Sequence, residues 1–376
     1  MSTLRVVIDS ILDPRDAELS RYTEELTRAL INFAPSGCDV EGIVSASPES
    51  DYEDLNRRLP GLSGLHKSSL SRRELRAAWL HGFTASPRGG LIHSTSLLAP
   101  FRHRDRVNTT GEQLVVTVSD VIAFTAPHTL EGKSASSVLR AIKRAEKYAD
   151  AVVVPTHAVA EALAERTSLG DRIRVISSAA STRLALSDDA EERARALGLP
   201  ATFVLTFASL NPREALDDLL GAMATVETEL VVVGNPAWGD RSLEQALSEA
   251  QVPAERVLML GDITIDDLAV VIDRASVVVH PATDESFGSR ILDAISLGTA
   301  VITSDTAAHR EVVVDAALLV EPGEGSEYAE RLAGAIDSVV SSPEVAHDLE
   351  VAGLDRSRAF TWQSAAEKTW ELHAEL

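Results

Sequence analysis

The chain has 376 residues, a single cysteine (Cys38) and a formal charge of −22. One cysteine excludes an internal disulfide and a multi-cysteine metal cluster, and the acidic balance argues against a general nucleic-acid binder, because phosphate backbones attract basic surfaces. The length suits two α/β domains of roughly 180 residues each, and 45% hydrophobic residues give each a core.

No apolar run approaches the roughly 20 residues needed to span a bilayer. The stretch from Met1 to Asp9 has no basic leader, which predicts no signal peptide and, with the lone thiol, a cytoplasmic protein. Charge is unevenly spread. Through Arg183 there are 23 Lys and Arg against 22 Asp and Glu, leaving 12 against 35 beyond it. Such a step marks a domain boundary.

Short β-branched runs alternate with amphipathic stretches, the pattern of parallel α/β domains. In the first half the predicted strands are Leu4–Ile8, Val40–Val44, Gly90–His93, Leu114–Val118, Ala151–Val154 and Arg172–Ile176, with helices at Arg21–Asn32, Ser134–Tyr148 and Ala158–Arg166. The region from Glu49 to Arg88, crowded with Arg57, Arg58, Lys67, Arg72, Arg73 and Arg76, reads as a helical or loop excursion. A polar segment, Thr182–Leu199, is the expected hinge.

The second half repeats the alternation. Strands are predicted at Phe203–Phe207, Glu229–Val233, Val257–Leu260, Ser276–His280, Ala300–Thr303 and Ala317–Val320. Helices are predicted at Ala215–Val226, Leu243–Glu249, Ile265–Asp273, Arg290–Leu297, His309–Val313 and Glu327–Ser341. The expected architecture is two doubly wound, Rossmann-like domains, whose ligands bind where strands end and helices begin.

Among those loops the richest runs from His280 through Asp284-Glu285-Ser286-Phe287-Gly288-Ser289 to Asp293 and Gly298. Gly288 lets the backbone approach a ligand, and a helix starting near Ser289 offers free amides to anions. Asp293 lies about one turn into that helix and can face the same ligand. As isolated features, Glu285 and Asp293 are equally a solvated loop acid and a first-turn acid favoured by the helix dipole.

With Leu230-Val-Val-Val-Gly234, Trp238, Leu258-Met-Leu-Gly261, Ala317-Leu-Leu-Val320 and Phe360-Thr-Trp362, this passage resembles the retaining glycosyltransferases of family 4. Their signature is two acids separated by seven residues, with Phe-Gly inside. The resemblance covers most of the chain. It implies the GT-B fold, with an acceptor-side domain at 1–183, a nucleotide-sugar domain at 184–358, a cleft between them, and a terminal helix, 359–376, crossing back to the first domain.

It also implies roles. Glu285 is the catalytic carboxylate, binding hydroxyls of the donor sugar; Ser286, Phe287, Gly288 and Ser289 present the loop and its amides to the donor; Asp293 binds the ribose. No metal or other cofactor is expected, since no Asp-x-Asp loop is present.

Several positions depart from the family. The arginine and lysine expected for the diphosphate correspond to Ser209 and Glu214, leaving Arg213 as the nearby cation. Glu18-Leu19-Ser20 stand where a Gly-x-Gly loop precedes an Arg-Tyr-Thr helix, and Ser119-Asp120 replace a His-Asp pair expected near the donor sugar and acceptor, with His128 farther along the loop. The substitutions fall on donor contacts while the framework persists. Two readings follow: an active hexosyltransferase, or an impaired homologue acting as a binding or scaffolding subunit in a homo- or hetero-oligomer. The expected partners are a nucleotide-sugar and a glycan, lipid or small-molecule acceptor. The basic cluster, with Arg102, His103, Arg104 and Arg106, is either a solvated face or a contact for an anionic acceptor or membrane surface.

Overall fold

The computed structural model describes residues 2–13, 15–83, 90–103, 111–130, 135–323 and 325–376. The chain forms two compact units, one of Met1–Ser178 with Thr361–Leu376 and the other of Ala179–Phe360. Arg104, Arg106, Arg88 and Ser134 lie outside the described residues.

The first unit carries strands β1 (Ser2–Val7), β2 (Cys38–Ala46), β3 (Gly64–Ser71), β4 (Leu91–Ser94), β5 (Gln113–Thr117), β6 (Ala151–Val154) and β7 (Ile173–Val175). They pair in parallel in the order β3-β2-β1-β4-β5-β6-β7. The central strands are apolar on both faces, as the runs Leu114-Val-Val116 and Ala151–Val154 require when helices cover a sheet on each side.

The excursion expected between Glu49 and Arg88 contains a strand. Helices Glu49–Arg58 and Arg72–His81 flank β3, which pairs with β2 alone at the sheet edge. An edge strand buries little, so Gly64–Ser71 needs no continuous apolar run and carries Lys67 on its exposed side. The basic residues here are matched by acids: Arg57 with Asp54, Arg58 with Glu24, Lys67 with Glu49 at 3.2 Å, Arg72 with the buried Asp9 at 3.2 Å, and Arg76 with Asp13 at 3.0 Å. Arg102 pairs with Glu112 at 2.7 Å. The cluster therefore presents far less net charge than its sequence density implies.

The first long helix begins earlier than periodicity places it. It runs Ala17–Asn32 because Asp16 caps it, accepting from the Leu19 amide at 3.1 Å. Glu18 and Ser20 are thus helical residues rather than a loop before the helix.

The terminal helix, Trp362–Glu375, packs on this unit: Trp370 Nε1 donates to the Leu30 carbonyl at 3.1 Å, and the rings of Tyr22 and Trp362 lie 6.0 Å apart.

The second unit carries β8 (Phe203–Thr206), β9 (Glu229–Val233), β10 (Val257–Gly261), β11 (Val277–His280), β12 (Val301–Ser304) and β13 (Leu318–Val320), all parallel in the order β10-β9-β8-β11-β12-β13. Val231, Val232 and Val277 to Val279 are wholly buried. The order reverses between β8 and β11, which opens a crevice at their carboxyl ends.

Part of the expected hinge is a helix, Ala190–Ala196, whose Arg193 meets Asp267 at 2.8 Å and Asp266 at 3.4 Å. A helix at Pro343–Ser357 has no counterpart in the sequence reading. Its apolar residues do not form one stripe, Val351 and Leu354 being exposed, yet Gly353 lets it close onto Ile295 and Arg356 donates to the carbonyls of Val312 and Glu311.

Candidate active site

Glu285 stands in the loop after β11 on a backbone held from three sides. Tyr328 Oη donates to the Pro281 carbonyl at 2.8 Å, Ser304 Oγ donates to the Ala282 carbonyl, and the Thr283 amide donates to the Arg213 carbonyl at 2.8 Å. The last bond joins the loop after β11 to the loop after β8, the two that flank the point where strand order reverses.

One oxygen of Glu285, Oε2, meets two imidazoles. His280 Nε2 is in close contact with it and His309 Nε2 lies 3.1 Å away. His280 closes β11, in register with Thr303 of β12. His309 is the third residue of the helix Ala307–Val313, capped by Thr306, whose Oγ1 accepts the His309 amide at 3.2 Å. Both rings are buried, whereas the Glu285 side chain keeps 21% exposure. Burial pushes the Glu285 carboxyl up, but the charge and hydrogen bond of His280, with those of His309, outweigh it and hold it well below the ordinary carboxylate value. Sequence reasoning missed both histidines. The signal for His280 was its place at a strand end five residues before an acid; His309 is 24 residues past Glu285 and had none.

Gly288 has φ of +80° and begins the helix Ser289–Ser296. A Cβ there would meet Ile291 Cδ1 at 2.8 Å. Gly288→Ala is expected to lower stability by about 1–2 kcal/mol, mostly from the left-handed backbone, read as an earlier midpoint in urea; an unchanged midpoint would show that the loop does not need this conformation. Phe287 turns inward, its ring edge-on to Phe360 at 5.9 Å, so only its backbone is left to offer a ligand. Ser289 is buried and Ser286 half-buried.

The ribose role expected for Asp293 meets a carboxylate already engaged. Asp293 is fully buried; Oδ1 accepts from the Ser181 amide at 3.1 Å, and Oδ2 lies 3.4 Å from Arg290 Nη1. It braces the chain just after the start of this unit. Arg290, which the sequence reading passed over, also lies over the Phe207 ring, 5.2 Å from its centroid.

In the loop after β8, the Ser209 amide donates to Glu214 Oε2 at 2.6 Å, and Arg213 Nη2 lies 3.5 Å from Glu214 Oε1. Arg213 Nε is buried with no hydrogen-bond partner among the described residues. Ala215 adopts φ of +50° before the helix Leu216–Met223. Ser119 and Asp120 lie in the first unit, after β5. Ser119 is exposed, and Asp120 Oδ1 accepts the Ile122 amide at 3.0 Å, an ordinary turn contact. His128 is exposed in a short turn farther along.

Two Rossmann-like units in series, the second with an acidic loop and a helix start at its reversal point, define the GT-B class of glycosyltransferase fold. Residues 188–355 match the family model described as glycosyl transferases group 1. The chain is similar to the serotype-specific mannosyltransferase WbdA of Escherichia coli, 25% identical over 231 residues, 58% of this chain and 28% of that protein. It is also similar to the D-inositol 3-phosphate glycosyltransferase of Stackebrandtia nassauensis, 28% identical over 318 residues, 77% of this chain and 63% of that protein. The structure of Anabaena Alr3699/HepE in complex with UDP and glucose aligns over 100% of both chains with a TM-score of 0.75 at 16% identity, a likeness of fold. The alignments span between 27% and 52% of the length of the first curated relatives. No helix among the described residues is long and apolar enough to cross a membrane.

Proposed function

We propose that the chain is a retaining glycosyltransferase that moves a hexose from a nucleoside diphosphate sugar to a glycan, lipid or small-molecule acceptor. The observation that carries this reading is the Thr283 to Arg213 hydrogen bond, which holds the diphosphate-side loop against the loop bearing Glu285. The relatives named for sugar transfer, and the UDP and glucose bound by the HepE structure, support it.

The residues divide the work. Glu285 Oε2 is engaged by the histidines, and Oε1 is free to accept a hydroxyl hydrogen of the donor sugar. Arg213, with its buried Nε, and Arg290 at the helix start are the cations that the loops after β8 and β11 offer to a leaving diphosphate. In the reaction the bond from the anomeric carbon to phosphate breaks, its electron pair leaving with the diphosphate. The acceptor oxygen bonds to the same face, and its proton passes to the departing phosphate oxygen. Incubation with UDP-, GDP- and ADP-sugars, with the anomeric configuration of the product read by NMR, tests the proposal. An inverted product removes retention, and no transfer from any donor by folded protein removes the activity.

A second reading, an impaired homologue, draws on Glu214, whose carboxylate occupies the Ser209 amide on the side where a diphosphate needs donors. Glu214→Gln keeps an acceptor for Ser209 and removes the charge. It is expected to tighten UDP or GDP binding by about 3- to 10-fold in calorimetry. Equal affinity in the two proteins would place Glu214 away from the phosphates.

A further inference from the structure

We infer that His280, Glu285 and His309 form a binding site for a single divalent transition-metal ion, with Zn²⁺ the best chemical match. The inference stands apart from sugar transfer, since it concerns what the three side chains bind, and it departs from the metal-free expectation drawn from the lack of an Asp-x-Asp loop.

Convergence is the first observation. Each residue aims one ligand atom at the others, and the three atoms lie within 4.8 Å of one another. Two imidazoles and a carboxylate are a borderline-soft set that suits Zn²⁺, with Zn–N and Zn–O bonds of about 2.0–2.2 Å. Such bonds place tetrahedral ligand atoms about 3.3 Å apart, close to the 3.1 Å between His309 Nε2 and Glu285 Oε2. His280 Nε2 and Glu285 Oε2 are nearer than this and would part to admit the ion.

The second observation is a count of protons. Thr303 Oγ1 donates to the His280 carbonyl at 2.9 Å, and Ser304 Oγ donates to the Ala282 carbonyl. Each hydroxyl has one hydrogen, so each turns only a lone pair towards His309 Nδ1, 2.9 Å from both. The Ser304 carbonyl, 3.0 Å from the same nitrogen, also only accepts. Nδ1 therefore carries a hydrogen, and in a neutral ring Nε2 presents its lone pair to a carboxylate oxygen. That contact needs either a proton on Nε2 or a metal cation between the two atoms.

A second ring proton would answer this for one nitrogen alone. One metal ion accepts lone pairs from both rings and the carboxylate at once. An Nδ1–H fixed by a backbone carbonyl is also the usual outer support of a metal-bound histidine.

The third observation is access. The imidazoles close the site from the protein side, while the Glu285 side chain keeps 21% exposure, leaving a path for the ion and room for a fourth ligand from solvent. Oε1 of Glu285 stays available when Oε2 binds the ion.

The full chain, stripped with chelator and dialysed without any nucleotide against Zn²⁺ or Co²⁺, tests this. About one Zn²⁺ per chain is expected, and Co²⁺ should give visible absorption bands of a low-coordinate N/O site. His309→Leu and His280→Phe should each lower Zn²⁺ affinity at least 100-fold, whereas His347→Ala, at an exposed histidine 3.6 Å from Glu350, should leave it unchanged. Less than about a tenth of an equivalent of Zn²⁺ with folded wild-type protein overturns the inference, as does equal binding by His309→Leu. So does a metal-free protein whose His309 ring is found doubly protonated by ¹⁵N NMR. The Co²⁺ spectrum needs no variant, so a variant that fails to fold leaves the test intact. UDP affinity, measured separately, reports on the proposed transfer reaction.

Discussion

Glu285→Gln is expected to lower sugar transfer by about 10²–10³-fold in kcat, the range seen when one preorganised polar contact to a transition state is removed. The carboxylate is poised for this role by its surroundings. His280 and His309 hold one oxygen, and Tyr328, Ser304 and Arg213 hold the backbone that carries it, so little reorganisation is needed as charge develops on the sugar. Glutamine keeps the size and one acceptor oxygen but loses the charge that opposes a developing oxocarbenium ion. UDP lacks the sugar, so its affinity should change by less than about threefold. Rates measured at saturating donor, with calorimetry on UDP and circular dichroism as a check on folding, separate the two effects. A variant that transfers within threefold of the parent would remove Glu285 from the chemistry.

The second large effect concerns acid. In the first unit His93 and His373 are buried, their rings edge to face at 5.6 Å. Gln113 Oε1 lies 3.0 Å from His373 Nδ1, which donates to it; His373 Nε2 is then left to accept from His93 Nδ1 at 3.4 Å. Both rings are neutral in this chain of bonds. Burial pushes His93 down to about 4 from 6.5, and burial, then the nearby His93, holds His373 well below its ordinary value.

Between pH 6.5 and about 4 the unfolded chain thus binds more protons than the folded one, and stability falls as pH falls through that window. For His93 alone the loss is about 3 kcal/mol, with His373 adding to it as a coupled titration. The terminal helix Trp362–Glu375 carries His373, so acid should loosen its attachment to the sheet. Urea midpoints from pH 7 to pH 4 test this. Trp79, Trp362 and Trp370 lie in the first unit and only Trp238 in the second, so fluorescence reports mainly the first. His93→Gln, which keeps a donor for His373 but does not titrate, should flatten the dependence. A parent whose midpoint is flat over this range would mean that the rings protonate without opening the unit.

Legibility in the sequence followed burial. Every strand of the second unit was readable, the central ones because strands covered on both faces are continuous apolar runs and the edge strands β10 and β13 because Val257-Leu-Met-Leu260 and Ala317-Leu-Leu-Val320 are apolar runs as well. β3 was not, since its sequence, Gly64-Leu-His-Lys-Ser-Ser-Leu-Ser71, has no apolar run, which an edge strand can do without. The helix Pro343–Ser357 was missed for a related reason: it is held by a glycine contact and by Arg356 on carbonyls, features that leave no periodic stripe.

At the site, Glu285 and Gly288 could be singled out because loop, strand end and helix start are contiguous in the chain. The roles of Asp293 and of the basic cluster could not be judged, because their partners are distant: Ser181 lies 112 residues before Asp293, and Arg58 pairs with Glu24 from 34 residues away.

The sequence by itself determined the two α/β units, the strands at their cores and the loop with Glu285, Phe287 and Gly288, since each follows from local pattern and backbone chemistry. Only the tertiary structure decided what surrounds Glu285. His280 and His309 reach it because β11 and β12 lie side by side and the next helix folds back over their ends. Parallel pairing brings together residues separated by a whole crossover, and no spacing rule in a single chain reports that.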